Sequence, residues 1–399
     1  MPWNTLQVLL RRIATPLRHL FSLYALLLAL FTLTRLLRIS GIPLIDLANT
    51  FAPYLYMPLV VSFPLSVIVS RGSAESLERA RKRLAQAPRK RDAGHTRAHP
   101  PRWSVLLQIV LLAMGLYSFA APAMYRPIDP PAGETFRVIS FNVQGSNAEL
   151  ERATAWLLAA EPDVIVLQET AEGYDPRLAP LYEVYAHEDH IEGSVRVFSR
   201  FAILERDALT IEAPGDGQSG REALRLLLNL DGRRLAVYAL HFSLPLRPRA
   251  QLNPDADIGP EALLRYDESR RNAQIRRLLS ILEAEISPFF VVAGDFNMSD
   301  ASLIYTEIAA RMQDGWRGAG NGAGRTWPVA EAIGLPRMIQ PFLRIDYIWH
   351  SAALRATAAE VGAAIGSDHL PLSVSLEWRV NQGALKTTGR GTTSERHTE

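Results

Sequence analysis

Cysteine is absent from the 399 residues. That excludes a disulfide framework, thiolate zinc sites and a cysteine nucleophile, and it permits an oxidising compartment without requiring one. An even spread of charge is missing too, because the net charge of +2 averages two unlike parts. Residues 1–125 hold 15 Lys and Arg against 4 acids, net +11, and the remainder holds 28 basic against 37 acidic residues, net −9. A basic, very apolar third joined to an acidic two-thirds excludes a single soluble globule. The acidic part also lacks the basic surplus with which a surface that collects nucleic acid neutralises phosphates. No internal repeat is apparent.

What the first third does have is long apolar runs. Three stretches, at about 18–38, 48–70 and 103–125, reach or approach the length that crosses a bilayer core of about 30 Å. In the first, only 20–34 is uncharged, so Arg18 and Arg35 must snorkel outward. Pro53, Pro58 and Pro64 would break a soluble helix, but neighbouring helices in a bundle re-satisfy the freed carbonyls. The intervening loop 71–102 carries ten Lys and Arg, among them Arg81, Lys82, Arg83, Arg89, Lys90 and Arg91. The positive-inside rule holds that loop in the cytoplasm, against anionic membrane lipid, rather than making it a nucleic-acid patch. The expectation is an integral protein of a bacterial cell membrane, with three crossings delivering everything after Tyr125 to the extracytoplasmic face. Residues 126–134 follow as a short Pro-rich linker. At about 3 Å per residue it keeps the next domain near the bilayer. Residues 380–399 are polar and read as a disordered tail.

Between linker and tail, 135–379 alternates strands and helices. Strands are expected at 135–143, 163–167, 194–198, 223–230, 234–242, 289–293, 345–350 and 370–378, with Asp231-Gly232 as a hairpin turn. Ser146 and Glu149 suggest a capping box for a helix through about Ala160, and 261–286 reads as a long amphipathic helix. This pattern favours an α/β sandwich built on mixed sheets.

The apolar strands repeatedly stop in an acid, an amide or a histidine: Asn142, Gln168-Glu169, His241, Asp295-Phe296-Asn297, Asp346 after Arg344, and Ser367-Asp368-His369. Charges at buried strand ends cost desolvation energy unless a metal or partner compensates, and strand ends are where α/β sheets bind ligands. Carboxylate and amide oxygens without thiolates suit a hard cation: Mg²⁺ or Mn²⁺, with Ca²⁺ as a third candidate. Each residue also has a bland reading. Asn142 would close a turn, Glu169 and Asp295 would be surface acids, His241 a structural histidine, and Asp346 a partner for Arg344.

The order Asn142, Glu169, His241, Asp295-x-Asn297, Asp346, Asp368-His369 resembles the endonuclease/exonuclease/phosphatase (DNase I-like) superfamily. The likeness covers roughly 135–378, and Ser199-Arg200 and Arg271-x-x-Gln274 resemble its lesser features. It implies a four-layer α/β sandwich, two mixed β-sheets flanked by helices, here preceded by a three-helix transmembrane region. It implies a metal-dependent hydrolase of phosphate esters, with Glu169 as principal metal ligand, Asn142 assisting, and Asp368 supporting or holding a second ion. Asp295 would orient or deprotonate the attacking water, with Asn297 holding it and the phosphate. His369, oriented by Asp346, would sit beside the scissile phosphate, and His241 would donate to a phosphate oxygen. Whether His369 or Asp295 is the base stays open.

For substrate, the tether favours a lipid-linked phosphate or pyrophosphate at the membrane surface, a layout similar to three-span bacterial members associated with envelope lipid carriers. Two alternatives remain: an extracytoplasmic nuclease or phosphodiesterase, less favoured because 126–379 is net −10, and a tethered binding module without catalysis. Arg221, Arg225, Arg247, Arg249 and Arg325 are candidates to grip one phosphate.

Overall fold

The computed structural model describes residues 3–68, 102–124, 127–212, 222–245 and 266–379. Most of the basic loop, the tail, and Arg221, Arg247 and Arg249 lie outside the described residues. The chain divides into two units: the N-terminal helices, with which 266–267 and 301–303 group, and the remainder from Tyr125 onward.

The N-terminal unit is built inside out. Leu20, Leu23, Leu27, Leu30, Leu106 and Val110 are exposed, whereas Thr32, Ser62, Ser66 and Gln108 are buried. Gln108 Nε2 donates to Ser66 Oγ at 3.1 Å, and the Thr32 and Tyr56 hydroxyls lie 2.6 Å apart. Gly115 lets two helices close, since a Cβ there would come within 2.7 Å of the Tyr56 ring. Small residues and internal hydrogen bonds at helix contacts are how helices pack where the solvent is as apolar as leucine. The windows His19–Leu36 and Trp103–Ala123 are long and apolar enough to cross a membrane. The expected second span is instead a bent pair, Pro43–Thr50 and Ala52–Ile68, at 81° to each other. Pro53 explains the break, having no N–H to continue the first helix and a ring that clashes with the preceding turn.

The second unit has twelve strands: β1 Thr135–Asn142, β2 Val164–Gln168, β3 His187–Ile191, β4 Val195–Ser199, β5 Ala202–Thr210, β6 Glu222–Leu230, β7 Arg233–His241, β8 Phe290–Asp295, β9 Gln313–Asp314, β10 Asp346–His350, β11 Leu354–Val361 and β12 Leu372–Trp378. They form two six-stranded sheets, ordered β11-β12-β1-β2-β4-β3 and β5-β6-β7-β8-β10-β9. Only β1–β2 and β7–β8 run parallel among the paired neighbours, so both sheets are mixed. Side-chain alternation then sorts the residues. Val138, Val164, Val166, Val237, Val291 and Ile348 fill the layer between the sheets. Their alternates pack outward. Phe141, Ile165 and Leu167 join Ala153 and Leu157 of the Leu150–Ala159 helix, and Tyr238, Leu240 and Val292 join Ile275 and Leu279 of the Ser269–Leu282 helix. This is the expected sandwich of two mixed sheets flanked by helices.

Local differences have physical causes. The helix expected at 261–286 spans Ser269–Leu282, its first five expected residues lying outside the described set. The Ser146–Glu149 capping box does not form, because the Leu150–Ala159 helix is entered at Glu149, whose N–H goes to Asn147 Oδ1 at 2.7 Å. The linker is not a free tether over its described part. Arg355 donates to the carbonyls of Asp129 and Pro130 (3.1 and 3.0 Å), and Glu377 accepts from Ala132 and Gly133. Arg355 and Glu377 are themselves paired at 2.6 Å.

Candidate active site

The alternation that builds the core also builds the site. Along β7 the inward positions are Val237, Ala239 and then His241; along β8 they are Val291, Ala293 and then Asp295. On β10 Asp346 shares its face with Ile348, and on β1 Asn142 shares its face with Val138. Register sets His241 beside Asp295 and Asp295 beside Asp346, so three functional groups cross one sheet in a row. The apolar layer therefore ends in a polar lid of the same parity. Gly294 is what lets β8 approach β7 here. Its φ is +154°, and a Cβ would collide with the Leu240 carbonyl oxygen.

Glu169 breaks the parity. Following inward Gln168, it should face the outer helices, but its φ of +56° turns the chain. Gln144 (+53°) and Asn297 (+48°) are also left-handed, so half of the six non-glycine residues with positive φ among those described flank this site. Such conformations cost of order 1 kcal/mol or more each and persist where the surroundings over-determine them.

Asp295 Oδ2 is the hub. Asn142 Nδ2 donates to it at 3.1 Å and to Glu169 Oε1 at 2.9 Å, tying the two acids together. His241 Nε2 stands 3.6 Å from Asp295 Oδ2 and 3.8 Å from Glu169 Oε1, and His369 Nε2 stands 3.7 Å from Asp295 Oδ2. The other ring nitrogen of His369 meets Asp346 at 2.9 Å. Asp346 is thus a partner of His369, while Arg344 is committed to Asp314 and Asp300. Asp295 Oδ1 accepts the Asn297 N–H at 2.7 Å, and Asn297 Nδ2 reaches the Phe242 carbonyl at 3.0 Å and His241 at 3.4 Å. Ser367 Oγ donates to the Asn142 carbonyl and accepts the His369 N–H, fixing the histidine's backbone.

Burial pushes the Asp295 carboxyl up, His369 opposes this, and Asp346 adds to it, leaving Asp295 at about 7. Burial alone would lower His369, but the charges of Asp346 and Asp295 overturn it and carry the imidazole to about 10. The two acids therefore favour the charged imidazole, and burial favours the protonated carboxyl of Asp295.

Asp368 stands apart. Its Oδ2 accepts from Trp327 Nε1 at 3.1 Å, its backbone N–H donates to Gln144 Oε1, and its Oδ1 is 4.0 Å from His369 Nε2. Arg225 is taken up by Glu285, Glu205 and Asp207, which leaves it no role in gripping phosphate. Three supporting residues escape sequence reading. Trp327, Gln144 and Thr326, whose hydroxyl accepts the N–H of Asp346, sit in loops without periodicity. Only Gln144, two residues beyond Asn142, carries a positional hint.

Among the described residues, two groups of side chains could hold a metal ion: Glu169, His241 and Asp295, and Asp295, Asp346 and His369. The first fits a hard divalent cation. It offers carboxylate oxygens and one imidazole, and its most buried member carries a charge that burial disfavours, which a cation would relieve.

The protein is thus a two-sheet α/β sandwich whose strand ends carry a carboxylate–histidine cluster able to hold a metal ion. A family model described as the Endonuclease/Exonuclease/phosphatase family matches residues 139–369, and the chain belongs to that family. Its members are generally metal-dependent phosphoesterases or nucleases. Among solved structures, an endonuclease/exonuclease/phosphatase from Bacteroides vulgatus is similar at 18% identity and a TM-score of 0.50, covering 62% of this chain and all of that one (100%). One from Beutenbergia cavernae is 23% identical over 62% of this chain and 72% of its own, at a TM-score of 0.48. Truncated Caenorhabditis elegans TDP2 is 16% identical over 61% and 98%, at 0.45. Identity this low speaks to fold alone. No curated protein matches the sequence.

Proposed function

We propose that this protein is a membrane-anchored, divalent-metal-dependent phosphoesterase that hydrolyses a phosphate ester or pyrophosphate of a lipid-linked substrate. The observation that carries the hydrolase reading is the convergence of Asn142, His241 and His369 on Asp295 Oδ2 beside Glu169.

Glu169, with Asn142 assisting, would hold a Mg²⁺ or Mn²⁺ ion next to Asp295 and His241. When bound, the ion supplies Lewis-acid stabilisation of charge on the phosphate oxygens. The chain's own groups do the rest. Asp295, whose carboxyl is pushed up by burial, is placed to take a proton from the attacking water. A water oxygen–phosphorus bond forms as the phosphorus–leaving-group bond breaks, the leaving oxygen takes a proton from solvent, and Asp295 returns to solvent the proton it accepted. His369, whose charged form Asp346 and Asp295 favour, takes the donor's role. As an imidazolium held by Asp346, it donates to a non-bridging oxygen and offsets developing negative charge. Asn297 and His241 hold the phosphate from the other side.

Support for the membrane anchor is the inverted burial of the N-terminal helices, with leucines outward and hydroxyls and amides inward. With the basic loop held in the cytoplasm, the catalytic unit works at the outer face, where a phosphate on a lipid chain is within reach. The test uses the full chain purified in detergent with Mg²⁺ or Mn²⁺. Phosphate release from polyprenyl pyrophosphate, without degradation of plasmid DNA, is the expected result. DNA cleavage alone would overturn the lipid assignment, and inertness toward every phosphoester would overturn the hydrolase reading.

A further inference from the structure

The Ser269–Leu282 helix contributes nothing that reaches the reacting centre, yet two of its buried polar side chains tie down the segments that do. Arg271 is fully buried, and its Nη1 donates to the carbonyl of Asn297 at 2.6 Å. Three residues on, and so on the same helix face, Gln274 is also fully buried. Its Oε1 accepts the Ser243 N–H at 3.0 Å, while its Nε2 donates to Ser243 Oγ at 2.9 Å and Glu212 Oε2 at 3.0 Å. One helix face thus fixes both the segment after β8 and the segment after β7.

We propose that Arg271 is a positioning residue for phosphoester hydrolysis, clamping the Asn297 carbonyl so that the Asn297 side chain stays between His241 and the Phe242 carbonyl. The inference rests on the phosphoesterase reading above. Asn297 sits in the left-handed region, which asparagine tolerates better than most residues, and all three of its polar handles are engaged. Its N–H goes to Asp295, its carbonyl to Arg271, and its Nδ2 to Phe242 and His241. Remove the guanidinium and the carbonyl is left buried without its charged donor, so the peptide can rotate and carry the side chain away from His241. Burying a guanidinium is costly, and the ion pair with Glu268 Oε2 at 2.9 Å offsets that cost. An apolar residue could fill this space more cheaply, but it could not hold the carbonyl.

The experiment compares Arg271→Met and Arg271→Lys with the wild-type full chain in detergent, using bis(p-nitrophenyl) phosphate with Mn²⁺. In Arg271→Met we expect kcat to fall at least about 50-fold with KM within about threefold, and Arg271→Lys to recover most of the loss. Hydrogen exchange of the peptide spanning 293–299 should quicken by about tenfold in Arg271→Met, while β1 is unchanged. A kcat within about twofold of wild type overturns the positioning role, and unchanged exchange at 293–299 overturns the clamp. If Arg271→Met does not fold, Arg271→Gln takes its place with the same two readings, since a shorter neutral amide cannot bring a charged donor to the Asn297 carbonyl. If the wild type cleaves no phosphoester, the hydrolase reading fails, and the exchange measurement still decides the clamp.

Discussion

His369 Nδ1 lies 2.9 Å from Asp346 Oδ2, and both side chains are buried. The carboxylate orients the ring and favours its charged form, so on the hydrolase reading proposed above its value lies in the transition state rather than in substrate capture. Asp346→Asn retains the shape but presents an amide that can offer a donor to the ring. We expect kcat to fall by about 10²- to 10⁴-fold with KM changed by no more than about threefold. Steady-state kinetics on a soluble phosphodiester checks this, and an effect confined to KM would count against the pairing.

Glu169 presents a different balance, because its side chain is 40% exposed and its removal costs the fold little. Glu169→Ala should abolish turnover and weaken Mn²⁺ binding by at least about tenfold in calorimetry. The melting temperature of the metal-free protein should hardly move. Wild-type affinity in this variant would remove Glu169 from the metal site.

The legible and illegible parts of this molecule divide along a physical line. Central strands such as β2 and β8 are buried on both faces, so Val-Ile-Val-Leu and Phe-Val-Val-Ala announce them. The four strands that went unrecognised, β3, β5, β9 and β11, are the four sheet edges. His187-Glu-Asp-His-Ile and Ala202-Ile-Leu-Glu-Arg-Asp carry the charges that keep an exposed edge from pairing with other chains, and those charges erase the apolar signal. Asn142, His241 and Asp295 are readable because each ends a legible strand at inward parity, whereas Asp346 opens one and His369 lies in the loop before β12. Glu169 is legible as the acid that follows the apolar run of β2, but its aim into the site is not, since its parity is wrong and only a left-handed turn corrects it. Trp327 and Thr326 had no such frame.

Glu285 gives a pH dependence whose sign can be worked out. Burial would raise its carboxyl, but hydrogen bonds from Arg225 and Tyr238 and the Ser287 N–H overturn this and hold it at about 2. A folded pKa below the unfolded value of 4.5 means that the stabilisation is fully present above about pH 4.5 and is lost as the pH falls toward 2. Glu285→Gln should lower stability at neutral pH by about 3 kcal/mol, having left Arg225 without its buried partner. It should also flatten the decline between about pH 5 and 3, followed as thermal unfolding by tryptophan fluorescence. Parallel acid profiles for variant and wild type would assign the acid sensitivity elsewhere.

Arg355 ties the linker to the sandwich. It bridges the Asp129 and Pro130 carbonyls to Glu377, and Ile128 packs against the core between the sheets. The described part of the linker is therefore bound along β11 and β12 rather than free. Arg355→Ala removes the two carbonyl contacts and one partner of Glu377 together, and Lys cannot replace a forked donor that serves three acceptors. Limited proteolysis of the full chain should then cut within 127–134 at least about tenfold faster. Turnover of a small soluble phosphodiester should stay at the wild-type rate, because none of these contacts touches Asp295 or its neighbours. On the membrane-anchored reading proposed above, release of phosphate from a bilayer-embedded lipid should respond, since freeing these residues would lengthen the tether. Equal proteolysis in variant and wild type would mean that the strap is held by Ile128 and the prolines rather than by charge.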